Sequence, residues 1–241
     1  MFDASIIQAI RNHAIAEYPN ESCGVVTPDG YMPCKNVHPE PLRNFKISGS
    51  IIAPLLSQGK LLAIVHSHPN GPFHPSKLDM QAQIDFGIPF GLTITDGENA
   101  SKPMWWGGNA PIQPLVGREF VHGITDCYAL VRDYYKTVLD IQLNDYARAD
   151  VWWSKGDNTE NMYLDYFDKE GFVKVDSLKP HDLIFMTIAS KVVNHAAVYL
   201  GGDRILHHFA NRLSNDEDTV GKWHKQIQGY YRHKSLIKGD E

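Results

Sequence analysis

Residues 61–86 read LLAIVHSHPNGPFHPSKLDMQAQIDF, and this stretch decides how the first part of the chain folds. Leu61 to Val65 is a short, unbroken apolar run of the kind that forms a buried strand, and it ends at His66. Ser76 then opens a helical pattern that runs through Met80, Ile84 and Phe86. Upstream, Phe2 to Ala16 places Ile6, Ile7, Ile10, Ala14 and Ile15 on one helical face, and Tyr18-Pro19-Asn20 ends it. Gly24–Thr27 and Tyr31–Lys35 flank Pro28-Asp29-Gly30, a hairpin signal. Downstream, Gly91 to Thr95 is a further strand closed by Asp96-Gly97. The alternation of helix and strand predicts an α/β unit.

At the end of the Leu61 strand the residues change character. His66-Ser67-His68-Pro69 is followed after six residues by Ser76-Lys77-Leu78-Asp79. Histidines at i and i+2 of a strand share a side, and an aspartate on the next helix's first turn can fold back to join them. Two imidazoles and a carboxylate leave one tetrahedral position open for water, the arrangement of a catalytic zinc site. A nearby carboxylate could take the proton of that water, and Glu21 is the candidate. The competing reading is local: Ser76-x-x-Asp79 is also a capping box that satisfies backbone donors.

Ser101 to Pro114 (SKPMWWGGNAPIQP) holds three prolines, two glycines and no periodicity, the composition of a connection. The expected division is therefore residues 1–104, a linker over 101–114, and a second unit over 115–241. In that second unit a helix over about 127–139 precedes strands at 182–188, 195–200 and 204–209, an α+β order. Cys127 opens the helix, where the macrodipole and free amides are expected to pull a thiol toward its thiolate. His195 and His207 lie 12 residues apart across the Gly201-Gly202-Asp203 turn and can share one face of a hairpin, as a base and its orienter would. His208 is expected on the opposite face. A cysteine merely packed in a helix, and structural histidines, are the alternatives.

The composition sets outer limits. The chain has 241 residues, with 23 Lys plus Arg against 28 Asp plus Glu and a net charge of -5, and it shows no basic run. Nucleic acid and anionic membranes are therefore not expected partners. No apolar run approaches the length of a membrane span, and the N-terminus lacks the pattern of a signal peptide. Three cysteines are too few for a disulfide framework and imply at least one free thiol, as in a reducing compartment. The excess lies in 12 histidines and 5 tryptophans. The Trp and Tyr residues between 152 and 166 could fill a core or line a groove, and core filling is the preferred reading. His74 is read as a surface histidine.

The string H-x-H-P-x(6)-S-x-x-D with an upstream E-x-C-G resembles the JAMM (JAB/MPN) zinc metallopeptidases, with every motif position filled. The resemblance implies a cytidine-deaminase-like α/β fold, zinc on His66, His68 and Asp79, Glu21 as acid/base and Ser76 as a hydroxyl that helps hold the intermediate. Cys23 is then a small buried residue. The pattern D-C-Y-x-L, N-H-A-x-V-Y-L-G and a second His resembles the NlpC family of papain-like cell-wall peptidases. It implies Cys127 as nucleophile, His195 as base and acid, and His207 as orienter. Two positions depart: the usual Gly two after the Cys is Ala129, and the family's upstream Tyr falls on Phe120 or His122. The two domains in this order, with the Asp150–Trp153 and Asn161–Tyr163 segment, are similar to tail assembly proteins of lambda-like tailed bacteriophages. That likeness implies a tail-tip peptidoglycan endopeptidase, made in the host cytoplasm and acting on stem peptides in the cell wall, with other tail-tip proteins as partners. The bond implied is γ-D-glutamyl to diaminopimelate. A structural tail component with inactive sites and a papain-like acyl or amide transferase stand as alternatives.

Overall fold

A computed structural model describes residues 1–154 and 161–237. The chain forms two compact units, Met1–Pro111 and Ile112–Glu241.

In the first unit, helix α1 (Ala4–Glu17) is started by Asp3, whose side chain accepts the Ile6 amide. Its buried Ile10 and Ala14 face the sheet, where Ile10 joins Val26, Ala63 and Val65 in a core. The expected hairpin is present as β1 (Cys23–Thr27) and β2 (Gly30–Cys34). After α2 (Gly49–Ser57) come β3 (Ala63–Pro69), α3 (Lys77–Phe86), β4 (Phe90–Thr95) and β5 (Met104–Trp106). The sheet order is β2-β1-β3-β4-β5, with β3 and β4 parallel across the α3 crossover and the other pairs antiparallel. Met104–Trp106 lies within the stretch read as a connection, but it closes the sheet as an edge strand. Gly91 shows why: opposite Trp105, a Cβ there would sit 2.7 Å from the indole ring. The proline-rich surroundings hide this three-residue strand. Helix α2 had no sequence signal, because it contains Pro54 and buries no residue.

The second unit begins with α4 (Cys127–Leu139). A short helix α5 (Met162–Phe167) precedes six antiparallel strands: β6 (Phe172–Val175), β7 (Leu183–Met186), β8 (His195–Gly201), β9 (Arg204–His207), β10 (Asn215–Thr219) and β11 (Ile227–His233). Their order is β10-β9-β8-β7-β11-β6, so the last strand inserts between β7 and β6. One face of the central strands, through Leu183, Phe185, Ala196, Val198 and Leu206, packs on Leu130, Val131, Tyr134 and Tyr135 of α4. The opposite face buries Ile184, Met186, Ala197 and Ile205 under Trp223 and Tyr230. Covered on both sides, β7 is apolar throughout, which is why it reads so plainly in the sequence.

Phe185 sits at the centre, 0% exposed, stacked on Tyr231 at 4.3 Å and edge-on to Phe167 at 4.5 Å. Phe185→Ala is expected to cost the second unit about 3–5 kcal/mol, read as a lower denaturation midpoint for that unit's transition. A loss below about 1 kcal/mol would contradict this placement of the core.

Candidate active sites

The first site is built on the end of β3. His66 and His68 project to one side of the strand, with their Nε2 atoms 3.2 Å apart. Asp79 Oδ2, supplied by the first turn of α3, lies 3.6 Å from each. The antiparallel register that sets Cys23 opposite His66 carries Glu21 to His68, with Oε1 3.9 Å from Nε2. The capping box read in Ser76-x-x-Asp79 is present, and it is compatible with a carboxylate turned toward the histidines. Ser76 Oγ accepts the Asp79 amide at 3.2 Å and Asp79 Oδ2 accepts the Ser76 amide at 2.7 Å, so the capping box itself aims the carboxylate at the histidines. His68 Nδ1–H donates to the Pro72 carbonyl at 2.8 Å, which leaves its Nε2 lone pair facing the cluster. Phe45 stacks on His66 at 4.4 Å.

The donor atoms of His66, His68 and Asp79 all lie within 4.8 Å of one another, and two imidazoles with a carboxylate are a set that suits zinc. The cavity beside them, about 570 Å³, is lined by Glu21, His68, Ser76 and Asp79. His74, expected on the surface, is half-buried and lines this cavity too. Burial pushes Glu21 up to about 7, with Asp79 adding to the rise and His68 opposing it. Burial also tends to raise Asp79, but His66, His68 and Ser76 hold it well below the usual carboxylate range. Burial lowers His66. His68 is raised, because Asp79, the Pro72 carbonyl and Glu21 outweigh its burial. Cys23, 0% exposed, has its thiol pushed up to about 12 by burial and serves as a small packed side chain.

The second site sits where α4 begins. Asp126 caps the helix, accepting the Ala129 amide at 2.9 Å, and its other oxygen takes the Gly123 amide at 2.8 Å and the Arg148 guanidinium at 2.7 and 2.9 Å. Cys127 is thereby held as the first helical residue. Its sulfur meets the Ala196 backbone, next to His195, and lies 3.1 Å from the Tyr163 hydroxyl. Cys127 and His195 line one cavity of about 250 Å³. His195 Nε2 is 3.3 Å from His207 Nδ1, and His207 Nε2 is 3.0 Å from Asp218 Oδ2. Phe209 stacks on His195 at 4.2 Å. The expected pairing of the two histidines across the turn is thus present in the structure, although Ala197 is the residue directly opposite His207.

Several expectations need correction here. The Cys127 thiol is not lowered: burial, with the Asp126 carboxylate beside it, pushes it up to about 11. His195 is held well below its ordinary value by burial, with His207 and His208 adding to the fall. At neutral pH the resting pair is therefore thiol and neutral imidazole. His208 falls just past the end of β9 and lines the same cavity, its Nε2 on the Arg212 carbonyl at 3.1 Å and its ring edge-on to Phe120. The strand ends at His207, so simple alternation no longer places its neighbour. At the positions proposed for an upstream tyrosine, Phe120 carries no hydroxyl and His122 Nε2 faces the Arg148 carbonyl at 3.3 Å.

Two residues went unread in the sequence. Asp218 reaches His207 through an irregularity in the β9–β10 register that no pattern announces. Tyr163 lay within an aromatic segment read mainly as core. It is both core and cavity wall, as is Trp152, while residues 155–160 of that segment lie outside the described residues.

Together the folds and side-chain clusters define a class: a JAB-like unit followed by an NlpC/P60 unit, the plan of a peptidase-type hydrolase. Residues 3–106 match the prokaryotic homologs of the JAB domain and residues 101–232 the NlpC/P60 family. The chain belongs to the NlpC/P60 family and, along nearly its whole length, to the family of tail tip assembly protein K of tailed phages. It is 35% identical to tail tip assembly protein K of Escherichia phage N15 over 240 residues, covering 98% of this chain and 96% of that protein. It is 34% identical to the lambda phage protein of the same name over 180 residues, covering 74% and 84%. A probable TtuB-protein conjugate cleaving protease of Thermus thermophilus is 32% identical over 104 residues, covering 39% of this chain and 70% of that protein.

Glu21 yields a pH test on metal-stripped protein. Its folded pKa of about 7 exceeds the ordinary 4.5, so its contribution to stability is full below pH 4.5 and is lost as pH rises through about 7. Glu21→Gln is expected to raise the stability of the first unit at pH 8 by about 1–3 kcal/mol and to change little at pH 4.5. Equal effects at both pH values in thermal melts would contradict the buried, protonated carboxyl.

Proposed function

We propose that the chain is a tail-tip peptidoglycan endopeptidase in which Cys127 attacks an amide of the stem peptide, at the γ-D-glutamyl to diaminopimelate bond. The observation that carries this reading is the line His195–His207–Asp218 running back from the cysteine's cavity. Asp218 stays ionised: burial tends to raise it, but Lys222, Trp223 and His207 lower it. An ionised Asp218 accepts from His207 Nε2–H, so a neutral His207 presents a bare Nδ1, which accepts from His195 Nε2–H. That tautomer leaves the His195 Nδ1 lone pair free to take the Cys127 proton. His195 later returns the proton to the leaving amine, and water resolves the thioester. His207 orients the base. Because the thiol is neutral at rest, the proton moves during attack.

In the first unit, the cluster of His66, His68 and Asp79 suits zinc by donor type and spacing, and it is proposed as a second, independent amide-hydrolysing site. When bound, zinc supplies Lewis-acid activation. Glu21, buried and raised to about 7, can hold or release a proton near neutrality beside His68, and the Ser76 hydroxyl faces the same cavity. The reading further places the protein in the virion tail tip among other tail-tip proteins, after synthesis in the host cytoplasm, and at the cell wall during entry. Among the described residues no helix is long and apolar enough to cross a membrane. Intact side-chain clusters in both units favour catalysis over a purely structural role. Transfer to an acceptor amine in place of water would appear as a conjugated product.

Muropeptide release followed by mass spectrometry tests the division of labour. Cys127→Ala or His195→Ala is expected to abolish cleavage, more than a thousandfold. Chelation or His68→Ala should leave cleavage within about twofold, while His68→Ala drops bound zinc from about one per chain. Loss of cleavage on chelation of folded protein would move the chemistry to the first unit.

The pH profile tests the resting protonation state. Since His195 must be neutral to act and its pKa lies below 6.5, kcat/KM should rise along an acid limb centred below pH 6.5 and stay flat to about pH 9. A bell centred near neutrality would indicate a preformed ion pair.

A further inference from the structure

The proton relay accounts for how Cys127 is activated, but not for where the carbonyl oxygen's negative charge goes once sulfur adds to carbon. Attack needs preorganised donors close to the new oxyanion, and these must lie next to the nucleophile. One is provided by the fold: the Cys127 amide opens α4, where a helix has no acceptor of its own for N–H. The side chain against the sulfur is Tyr163, its hydroxyl 3.1 Å from Sγ.

We infer that Tyr163 is a catalytic residue, its hydroxyl donating to the oxyanion formed when Cys127 attacks the substrate carbonyl. This rests on the reading of Cys127 as the nucleophile. Three features of Tyr163 fit a donor. Its ring is clamped, 6% exposed, against Phe185 at 5.2 Å and Phe167 at 5.6 Å, with Trp152 at 6.3 Å, so the hydroxyl needs no reorganisation when charge develops. It lines the cavity that holds Cys127 and His195, so a substrate carbonyl reaching the sulfur also reaches the phenol. Burial, together with the neighbouring Cys127, keeps the phenol far above its ordinary pKa, so it remains a donor across the working range.

The step balances without any further reactant. The Cys127 S–H proton passes to His195 Nδ1 and sulfur forms a bond to the carbonyl carbon. The C=O π pair moves to oxygen, where it accepts from Tyr163 O–H and the Cys127 N–H. Collapse restores C=O, expels the amine with the proton from His195, and leaves the thioester for water. Tyr163 keeps its proton throughout. This donor comes from α5, the helix after the tryptophan pair, and not from the stretch just before the cysteine, where Phe120 and His122 offer no hydroxyl.

The test is Tyr163→Phe in the full chain, which removes one oxygen and keeps the ring packing. A synthetic L-Ala-γ-D-Glu-diaminopimelate stem peptide is the substrate, and iodoacetamide alkylation of Cys127 is the control reaction, because thiol alkylation forms no oxyanion. The expected result is a kcat lower by about 100-fold with KM within about threefold, and an alkylation rate that falls at least tenfold less than kcat does. Tyr163→Met, which also lacks the hydroxyl, should lose kcat to a similar extent and provides the measurement if the Phe variant does not fold. Wild-type hydrolysis with kcat retained within threefold in either folded variant would overturn the donor role alone. So would equal losses in kcat and alkylation, which would mean that Tyr163 acts on the thiol and not on the oxyanion. Absence of Cys127-dependent hydrolysis in the wild-type chain would overturn the nucleophile reading, and this inference with it.

Discussion

The buried pair of Asp126 and Arg148 is the contact on which the thiol site depends. One carboxylate caps α4 through the Ala129 amide, fixes the preceding turn through the Gly123 amide, and neutralises a guanidinium that is itself about 5% exposed. The arrangement puts Cys127 at the first helical position, facing the end of β8. Breaking such a pair from one side strands a charge in the interior, at a cost of about 3–5 kcal/mol. Arg148 also bonds Asp145, which in turn pairs with Arg132 on α4, so the helix start and the loop leading to α5 are tied to one ionic group. Tyr146, Trp152 and Trp153, which line the cavity, lie between α4 and α5 beside that group.

Burial sets the chemistry in both units, and it does so with opposite results. Around Cys127 and His195 it drives thiol up and imidazole down, giving a pair that is neutral at rest. At the end of β3 it raises Glu21 to about 7, yet it cannot neutralise Asp79, because two histidines and a capping amide face that carboxylate. One unit thus holds an anion among imidazoles and the other holds its thiol and imidazole uncharged. In each case a short local motif is held by longer-range structure: the β1–β3 register brings Glu21 to His68, and the β8–β9 turn brings His207 to His195.

The parts of this architecture legible in the sequence are those specified locally. The strand ending at His66, the capped helix from Ser76 and the hairpin carrying His195 and His207 each follow from period, cap and turn chemistry. What escaped depends on contacts distant in sequence. The Met104–Trp106 strand is too short and too near prolines to show a period, and its place is set by pairing with β4. Asp218 is brought to His207 by an irregular register, and Tyr163 to Cys127 across 36 residues. The direction of the Cys127 shift was misread because the helix terminus was weighed and the burial around it, which no local pattern reveals, was not.

The central claim, that Cys127 carries the acyl group during cleavage, is tested most directly by quenching the full chain in acid within milliseconds of mixing with stem peptide and digesting it for mass spectrometry. The account predicts a transient mass increase equal to the L-Ala-γ-D-Glu acyl group, confined to the peptide that contains Cys127 and removed by hydroxylamine. Product release with Cys127 unmodified at every time point would contradict it.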